Sequence, residues 1–202
     1  MAVILKTGWL TRLVAIAMVM HGATAIAAER FLAGQLLVAS SEMKDPRFAE
    51  AVIYMIKHDD TGAFGLVINK PVGKASFAEL LKGFGLESKG AKGEITVYDG
   101  GPVGRHQGFV LHSDEMIFGS SRKVKDGVAM TADAKMIHAM AQGKGPRQAL
   151  FILGYAGWAA GQLETELKIN SWFVIGANKS LVFGDDADKK WRRALDKRQI
   201  PL

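Results

Sequence analysis

The sequence predicts a single α+β domain with a largely antiparallel or mixed sheet flanked by helices. Short apolar runs recur between turns rich in glycine, proline and aspartate, which is typical of strands. Amphipathic stretches of helical period are interspersed among these runs. No Pro/Ser-rich linker divides the 202 residues, of which 49% are hydrophobic and 23% charged, so strands and helices are expected to share one domain.

The first 27 residues differ from the rest and predict a cleaved secretory signal, which leaves residues 28–202 as the folded domain. Two basic residues flank the start, an apolar run extends from Leu13 to Met20, and small residues at 25–27 fit a processing site. The apolar stretch is shorter than the roughly 20 residues of a spanning helix; an uncleaved anchor is the alternative. We expect a periplasmic or secreted protein with no stable membrane span after cleavage, or a cytoplasmic protein if the signal is unused.

The stretch from Gly62 to Pro71 predicts a central strand between two turns. Its glycines come first, an apolar run follows, and Asn69-Lys70-Pro71 closes it. The preceding apolar run, Ala51 to Ile56, is expected to pair with it across a polar turn at residues 58–61. Further upstream, Gln35 to Ala39 predicts the first strand of the domain.

Two helices are predicted from their capping residues. Ser76 and Glu79 have the spacing of a capping box, so a helix is expected to begin there and to end by Gly85. Thr131 is expected to cap a second helix that runs to about Gln142.

The chain after residue 93 predicts five further strands and two more helices. Ala159 and Leu163 are spaced as on one helical face, so a helix is expected to begin near Trp158 and to expose Glu166 or Lys168. Acidic residues at 185–188 and basic residues at 189–198 predict a terminal helix whose charges complement its dipole. The strands are expected at Glu94–Tyr98, Gly108–His112, Val128–Met130, Gln148–Leu153 and Asn170–Ile175.

The sequence offers few groups for catalysis. It has no cysteine, which excludes disulfides and thiol chemistry. Its histidines have no zinc-binding spacing and no serine lies in a G-x-S-x-G elbow, so no cofactor and no metal are predicted. His58, Asp99 and His112 come at strand ends, and they would form a hydrolytic or metal site if those strands were neighbours.

One basic cluster favours nucleic-acid binding. It is the run Lys189-Lys190-Trp191-Arg192-Arg193, which combines bases with an aromatic residue. Nearby aspartates at 185, 186, 188 and 196 offset much of this charge. A solvated helix face is the preferred interpretation, and nucleic acid is not expected as a partner of an exported chain.

Five segments, in the same order, resemble the AlgH/YqgE family: Gln35–Ala39, Met43–Phe48, Gly62–Pro71, Gly100–Val103 and Gly154–Glu164. The resemblance implies a curved, partly barrel-like sheet flanked by helices. It implies no particular chemistry, because the family has a label as a transcriptional regulator but no established molecular function. The family often carries Cys-Glu-His where this chain has Ile56-Lys57-His58, so a redox role for that cysteine is excluded here.

The lead hypothesis is an exported, non-catalytic domain that binds a small molecule or a protein partner in a cleft. The alternatives are a cytoplasmic transcriptional regulator and a hydrolase or metal-dependent enzyme that uses His58, His112 and Asp99. For the marked positions themselves a structural role is the preferred interpretation, with glycines permitting close packing, aromatic residues filling the core and Glu164 capping or pairing locally. The candidate ligand-binding residues are Asn69, Pro71, Gly100, Gly101, Pro102, His112, Tyr155, Trp158, Gln162 and Glu164.

Overall fold

The computed structural model describes residues 31–198, so the signal expected at residues 1–27 lies outside the described residues. Within residues 31–198 the chain forms ten strands, five α-helices and a short 3-10 helix, Pro46–Phe48. The strands are β1 Gln35–Ala39, β2 Val52–Asp59, β3 Gly62–Val67, β4 Pro71–Ser76, β5 Glu94–Asp99, β6 Val103–Ser113, β7 Arg122–Lys125, β8 Val128–Thr131, β9 Ala149–Ala159 and β10 Trp172–Gly176. The helices are α1 Phe77–Gly83, α2 Lys135–Ala141, α3 Gln162–Lys168, α4 Lys179–Phe183 and α5 Ala187–Arg198.

The strands join in one mixed sheet, in the order β10-β1-β2-β3-β9-β6-β8-β7, with β5 beside β9 and β4 beside β5. Every pairing is antiparallel except that of β5 with β9. The first part of β9 pairs with β5 and β6, and its last part pairs with β3. None of the helices within residues 31–198 combines the length and apolar character needed to cross a bilayer.

The sheet curls into a half-barrel, and its core divides into three clusters. Inside the curl, residues of β1, β2 and β3 pack with residues of β6 and β9 and with α4 and α5; they include Leu36, Tyr54, Leu66, Leu111, Ile152, Val182 and Ala194. On the outer face of the first strands, a second cluster includes Leu37, Ile53, Val67, Trp158, Leu163 and Trp172. On the outer face of β5, β6 and β9, a third cluster packs against α1 and α2 and includes Phe77, Val97, Val110, Met136 and Phe151. The predicted α+β fold is confirmed.

The turn between β5 and β6 fills a gap where β3 and β9 separate. Direct pairing of these strands ends at Gly65 opposite Ala156. Beyond that point Val67 N donates to Gly100 O at 3.0 Å, and Gly100 N donates to Leu153 O at 2.7 Å. The turn therefore continues the hydrogen bonding that the two strands no longer exchange directly.

Gly100 and Gly101, here called the double-glycine turn, lie too close to β9 for any side chain. A Cβ on Gly100 would lie 2.3 Å from Gly154 O. A Cβ on Gly101 would lie 2.4 Å from the Tyr155 carbonyl carbon, and the φ of Gly101 is +140°, which side-chain-bearing residues rarely adopt. Their presence in the sequence thus reflects close packing of backbone on backbone.

The predicted local signals were mostly confirmed. The hairpin of β2 and β3 pairs Ile53 with Val67, and the capping box of α1 is present, with Ser76 Oγ accepting from Glu79 N. One cap was wrong: Thr131 ends β8, and α2 begins later, where Asp133 accepts a hydrogen bond from Lys135 N.

Three elements had no predicted counterpart, each for a physical reason. The exposed strand β4 opens with Pro71 and contains Gly73, so it lacks the apolar alternation of a half-buried strand. The strand β7 is a charged edge strand, Arg122 to Lys125. The helix α4 has only five residues, too few for a helical period to be visible.

Lys190 differs from the basic neighbours with which the sequence groups it. Its side chain is fully buried, and Nζ donates to Ile68 O at 3.2 Å and Val182 O at 2.9 Å. The side chain therefore links α5 to the end of β3 and to α4. The predicted solvated basic face is wrong at Lys190, because this side chain is buried. Desolvation lowers the pKa of Lys190 to about 8, although the nearby charge of Asp186 opposes the shift.

We expect the unfolding free energy to depend on pH through the titration of the Lys190 amine. Between about pH 8 and 10.5 the unfolded chain keeps the Lys190 proton that the folded chain loses, so the unfolding free energy should rise with pH. Relative to Lys190→Met, the wild type should gain up to about 3 kcal/mol across that window in urea denaturation. The exposed Lys189→Met is the control, and a wild type that shows the same pH dependence as Lys190→Met would contradict the assignment.

Candidate functional site

A groove of about 680 Å³ lies on the outer face of the half-barrel, beside the second core cluster. Its walls combine exposed apolar groups with polar tips: Ile169 is 69% exposed and Val103 is 40% exposed. We call it the binding groove. It is lined by Ser40, Glu42, Met43, Lys44, Asp45, Arg47, Phe48, Pro102, Val103, Gly157, Gln162, Glu166, Ile169, Asn170, Ser171 and Trp172.

The carboxylate of Glu166 organises one wall of the binding groove. Its Oε2 accepts hydrogen bonds from Trp158 Nε1 at 2.9 Å and from Trp172 Nε1 at 2.7 Å. Its Oε1 accepts from Gln162 Nε2 at 2.9 Å. The two indoles also meet edge to face, with ring centroids 6.0 Å apart. A single side chain thus fixes two large aromatic groups and one amide.

The structure differs from the prediction for residues 158–168, the segment that contains Glu166. The expected helix from Trp158 begins only at Gln162, because Trp158 and Ala159 are the last residues of β9. Exposure was expected at Glu166 or Lys168: Lys168 is exposed, whereas Glu166 is half-buried and bonded. Of the predicted ligand-binding residues, Gln162 and Pro102 line the binding groove, and Trp158 lies behind it as a partner of Glu166.

Tyr155, Asn69 and Pro71 do not line the binding groove. Tyr155 is half-buried, and its ring packs beside Phe64 with centroids 4.9 Å apart. Asn69 ties the chain before β2, because its Oδ1 accepts from Val52 N at 2.7 Å. Pro71 is exposed and opens β4. The structure gives these three residues packing or backbone-bonding contacts.

Glu164 and His58 form a separate pair. His58 is buried, its Nε2 lies 3.1 Å from Glu164 Oε1, and its Nδ1 accepts from Leu32 N at 3.2 Å. Because Nδ1 accepts from an amide, the ring proton belongs on Nε2 and points at the carboxylate. Both ring nitrogens are therefore engaged in contacts within the chain, which leaves neither for a substrate.

His58, Asp99 and His112 do not converge, so the proposed triad is wrong as a site. His58 lies opposite Ala63, which pairs with Trp158 near one end of β9, whereas His112 pairs with Ala149 at the other end. Those two positions on β9 are nine residues apart, about 30 Å along a strand.

Asp99 and His112 each have local roles. Asp99 Oδ1 accepts from Gly101 N at 3.1 Å, inside the turn. His112 is fully buried, its Nδ1 lies 3.0 Å from Ser113 O, and burial lowers its pKa. Within residues 31–198 its Nε2 has no hydrogen-bond partner, and no three His, Asp or Glu side chains there are placed to hold a metal ion.

Sequence reasoning missed the loop between residues 40 and 48 and the position of Ile169. The loop contributes Met43 and Phe48 to the groove, and Phe48 packs edge to face on Trp172 with centroids 5.4 Å apart. The segment Met43–Phe48 did belong to the family resemblance, but nothing in its residue types indicated a ligand. Ile169 follows the last turn of α3, where an apolar residue is expected to be buried.

We expect loss of the Glu166 carboxylate to destabilise the fold measurably. Glu166→Ala removes three hydrogen bonds and leaves two buried indole N–H groups without their acceptor. The unfolding free energy should fall by about 2–3 kcal/mol in chemical denaturation. Lys168→Ala, an exposed position on the same helix, should stay within about 0.5 kcal/mol of wild type. Equal losses in the two variants would contradict the role given to Glu166.

Comparison with known proteins places the chain among uncharacterised bacterial relatives. A UPF0301 protein of Methylococcus capsulatus is 44% identical over 169 residues, covering 84% of this chain and 92% of that protein. A UPF0301 protein of Caulobacter vibrioides is 45% identical over 172 residues, covering 84% and 88%.

Two solved structures have the same fold as this chain. The solution structure of the AlgH protein from Pseudomonas aeruginosa has a TM-score of 0.72 at 36% identity, and the match covers 85% of this chain and 91% of that one. A crystal structure from Corynebacterium diphtheriae, at 20% identity and TM-score 0.66, shares the fold. The AlgH-like family matches residues 36–202. The chain belongs to the AlgH-like family.

Proposed function

We propose that this protein is a non-catalytic binding protein and that its ligand, a small molecule or a short segment of a partner, lies in the binding groove. The observation that carries the proposal is the groove itself. Its volume of about 680 Å³ falls within the roughly 300–1,000 Å³ of small-molecule sites. Its mixture of exposed apolar groups and a few fixed polar tips is also typical of such sites.

The rigidity of the groove wall supports the same proposal. Trp172 is 2% exposed and held by the carboxylate of Glu166, so the wall keeps one shape without a ligand. A preformed wall lowers the entropic cost of binding, because few side chains must be immobilised. The engagement of both His58 nitrogens supports a binding role over a hydrolytic one.

Binding should be detectable in a fragment screen by ¹H–¹⁵N NMR of the purified protein. We expect hits to shift the indole signals of Trp158 and Trp172 and the amide of Gly157, while the amides of β8 stay in place. Ile169→Lys should weaken these hits about tenfold, because it puts a charge on an apolar wall.

Val72→Lys is the matched control, since Val72 is 64% exposed on β4 and Ile169 is 69% exposed in the groove. It should leave the affinities unchanged. Hits that map to β8, or equal losses in the two variants, would contradict a ligand site in the binding groove.

We also propose that the protein is exported. The proposal is supported by the basic start, the apolar run Leu13–Met20 and the small residues at 25–27. The protein isolated from its own cells should then begin at Ala28 or Glu29 and fractionate with the periplasm, as measured by N-terminal mass. An intact Met1 in the cytosolic fraction would contradict export and would favour the cytoplasmic regulator.

A further inference from the structure

A smaller pocket of about 190 Å³ adjoins the binding groove, beside the double-glycine turn. Arg47 and Pro102 line both the groove and the pocket, so the two cavities adjoin at these residues. Three cationic side chains line it, together with one carboxylate. We call it the cationic pocket, and the residues used below are Arg47, Lys70, Asp99, Gly101 and Arg105.

Arg47 is already compensated within the chain. Its Nη2 lies 2.6 Å from Asp45 Oδ2, and its Nε lies 3.0 Å from Asp45 Oδ1. This hydrogen bonding holds the pKa of Asp45 below its ordinary value, so Asp45 stays ionised and offsets the Arg47 charge. Arg47 therefore contributes little free charge to the pocket.

Lys70 and Arg105 are not compensated in this way. Lys70 is half-buried, and its Nζ donates to Arg47 O at 2.8 Å, which holds the ammonium in place and leaves two of its N–H groups for another acceptor. Arg105 is exposed and also lines the pocket. Among residues 31–198, neither has a carboxylate within 4.0 Å.

Asp99 reduces the positive charge of the pocket without cancelling it. Its Oδ1 is engaged with Gly101 N at 3.1 Å, which orients the carboxylate toward the turn. Three cations line the pocket, Asp99 offsets one of them there and Asp45 offsets Arg47 from outside it, which leaves a net charge of +1. The pocket is therefore set up for one anionic group.

We propose that the cationic pocket binds the acidic group, a carboxylate or a phosphate, of a ligand whose apolar part lies in the binding groove. This inference rests on the proposed function and specifies its ligand class. A guanidinium and an ammonium in the same pocket match the oxygens of either anion, because charge-assisted hydrogen bonds are the strong ones. The small volume admits the acidic group and leaves the larger groove for the rest of the molecule.

The test compares three aromatic probes by NMR titration of the purified protein at low salt: 3-phenylpropionate, phenyl phosphate and the neutral 3-phenylpropanamide. We expect at least one of the two anions to bind about tenfold more tightly than the amide. The tighter anion identifies carboxylate or phosphate as the preferred group. Its binding should shift the amides of Gly101 and Lys70 as well as the indole of Trp172.

Lys70→Met and Arg105→Gln should each reduce the preference for the anion while leaving the affinity of the amide unchanged. Arg105→Gln keeps the test decisive if Lys70→Met misfolds, since Arg105 is exposed. Lys123→Met is the matched control, because Lys123 is an exposed cation on β7. Its preference should equal that of wild type.

An amide that binds as well as both anions would overturn the inference, and so would an anion preference that survives in both Lys70→Met and Arg105→Gln. If the amide still shifts Trp172 in that case, the groove remains a binding site and only the acidic ligand class is wrong. If none of the three probes shifts Trp172 or Gly101, both the inference and the proposed function lose their support.

Discussion

The close approach of the double-glycine turn to β9 is the constraint on which the rest of the structure depends. The half-barrel requires β3 and β9 to pair at one end and to separate at the other, and buried backbone groups in the gap need partners. Gly100 supplies them by accepting from Val67 N and donating to Leu153 O. The backbone enters that gap only because it carries no Cβ there. The separation of the two strands also places the cationic pocket beside this turn.

The binding groove depends on a second polar centre, the carboxylate of Glu166. Buried indole N–H groups need acceptors, and one oxygen serves both Trp158 and Trp172. This links α3 to the end of β9 before it and to the start of β10 after it. The same link stabilises the outer cluster and gives the groove a fixed wall, so the stability of the fold and the shape of the groove share one interaction.

The buried side chains of Lys190 and His58 form hydrogen bonds that link one strand or helix to another segment of the chain. Lys190 bonds to carbonyl groups at the end of β3 and in α4, and His58 bonds to Leu32 N and to Glu164. Lysine, histidine and glutamate side chains are the types that enzymes most often use as catalytic groups. Because these side chains are bonded within the chain, the polar groups that remain accessible to a ligand are those that line the groove and the cationic pocket. Three of the five segments that resemble the AlgH/YqgE family, Met43–Phe48, Gly100–Val103 and Gly154–Glu164, contribute residues to the groove.

The sequence by itself determined the α+β class, the family, the β2–β3 hairpin and the capping box, because each depends on residues close together in the chain. It also marked Gly100, Gly101, Pro102 and Gln162 without indicating their roles. Tertiary structure alone decided that Lys190 is buried, that Glu166 serves two indoles, and that His58 and His112 lie at opposite ends of β9. Lys190 is buried against Ile68, 122 residues away, and the separation of the two histidines depends on the pairing of β3 and β6 with β9. Glu166 bonds indoles only six and eight residues away, but that contact depends on how α3 packs on the sheet. Local pattern and propensity do not encode these packing choices.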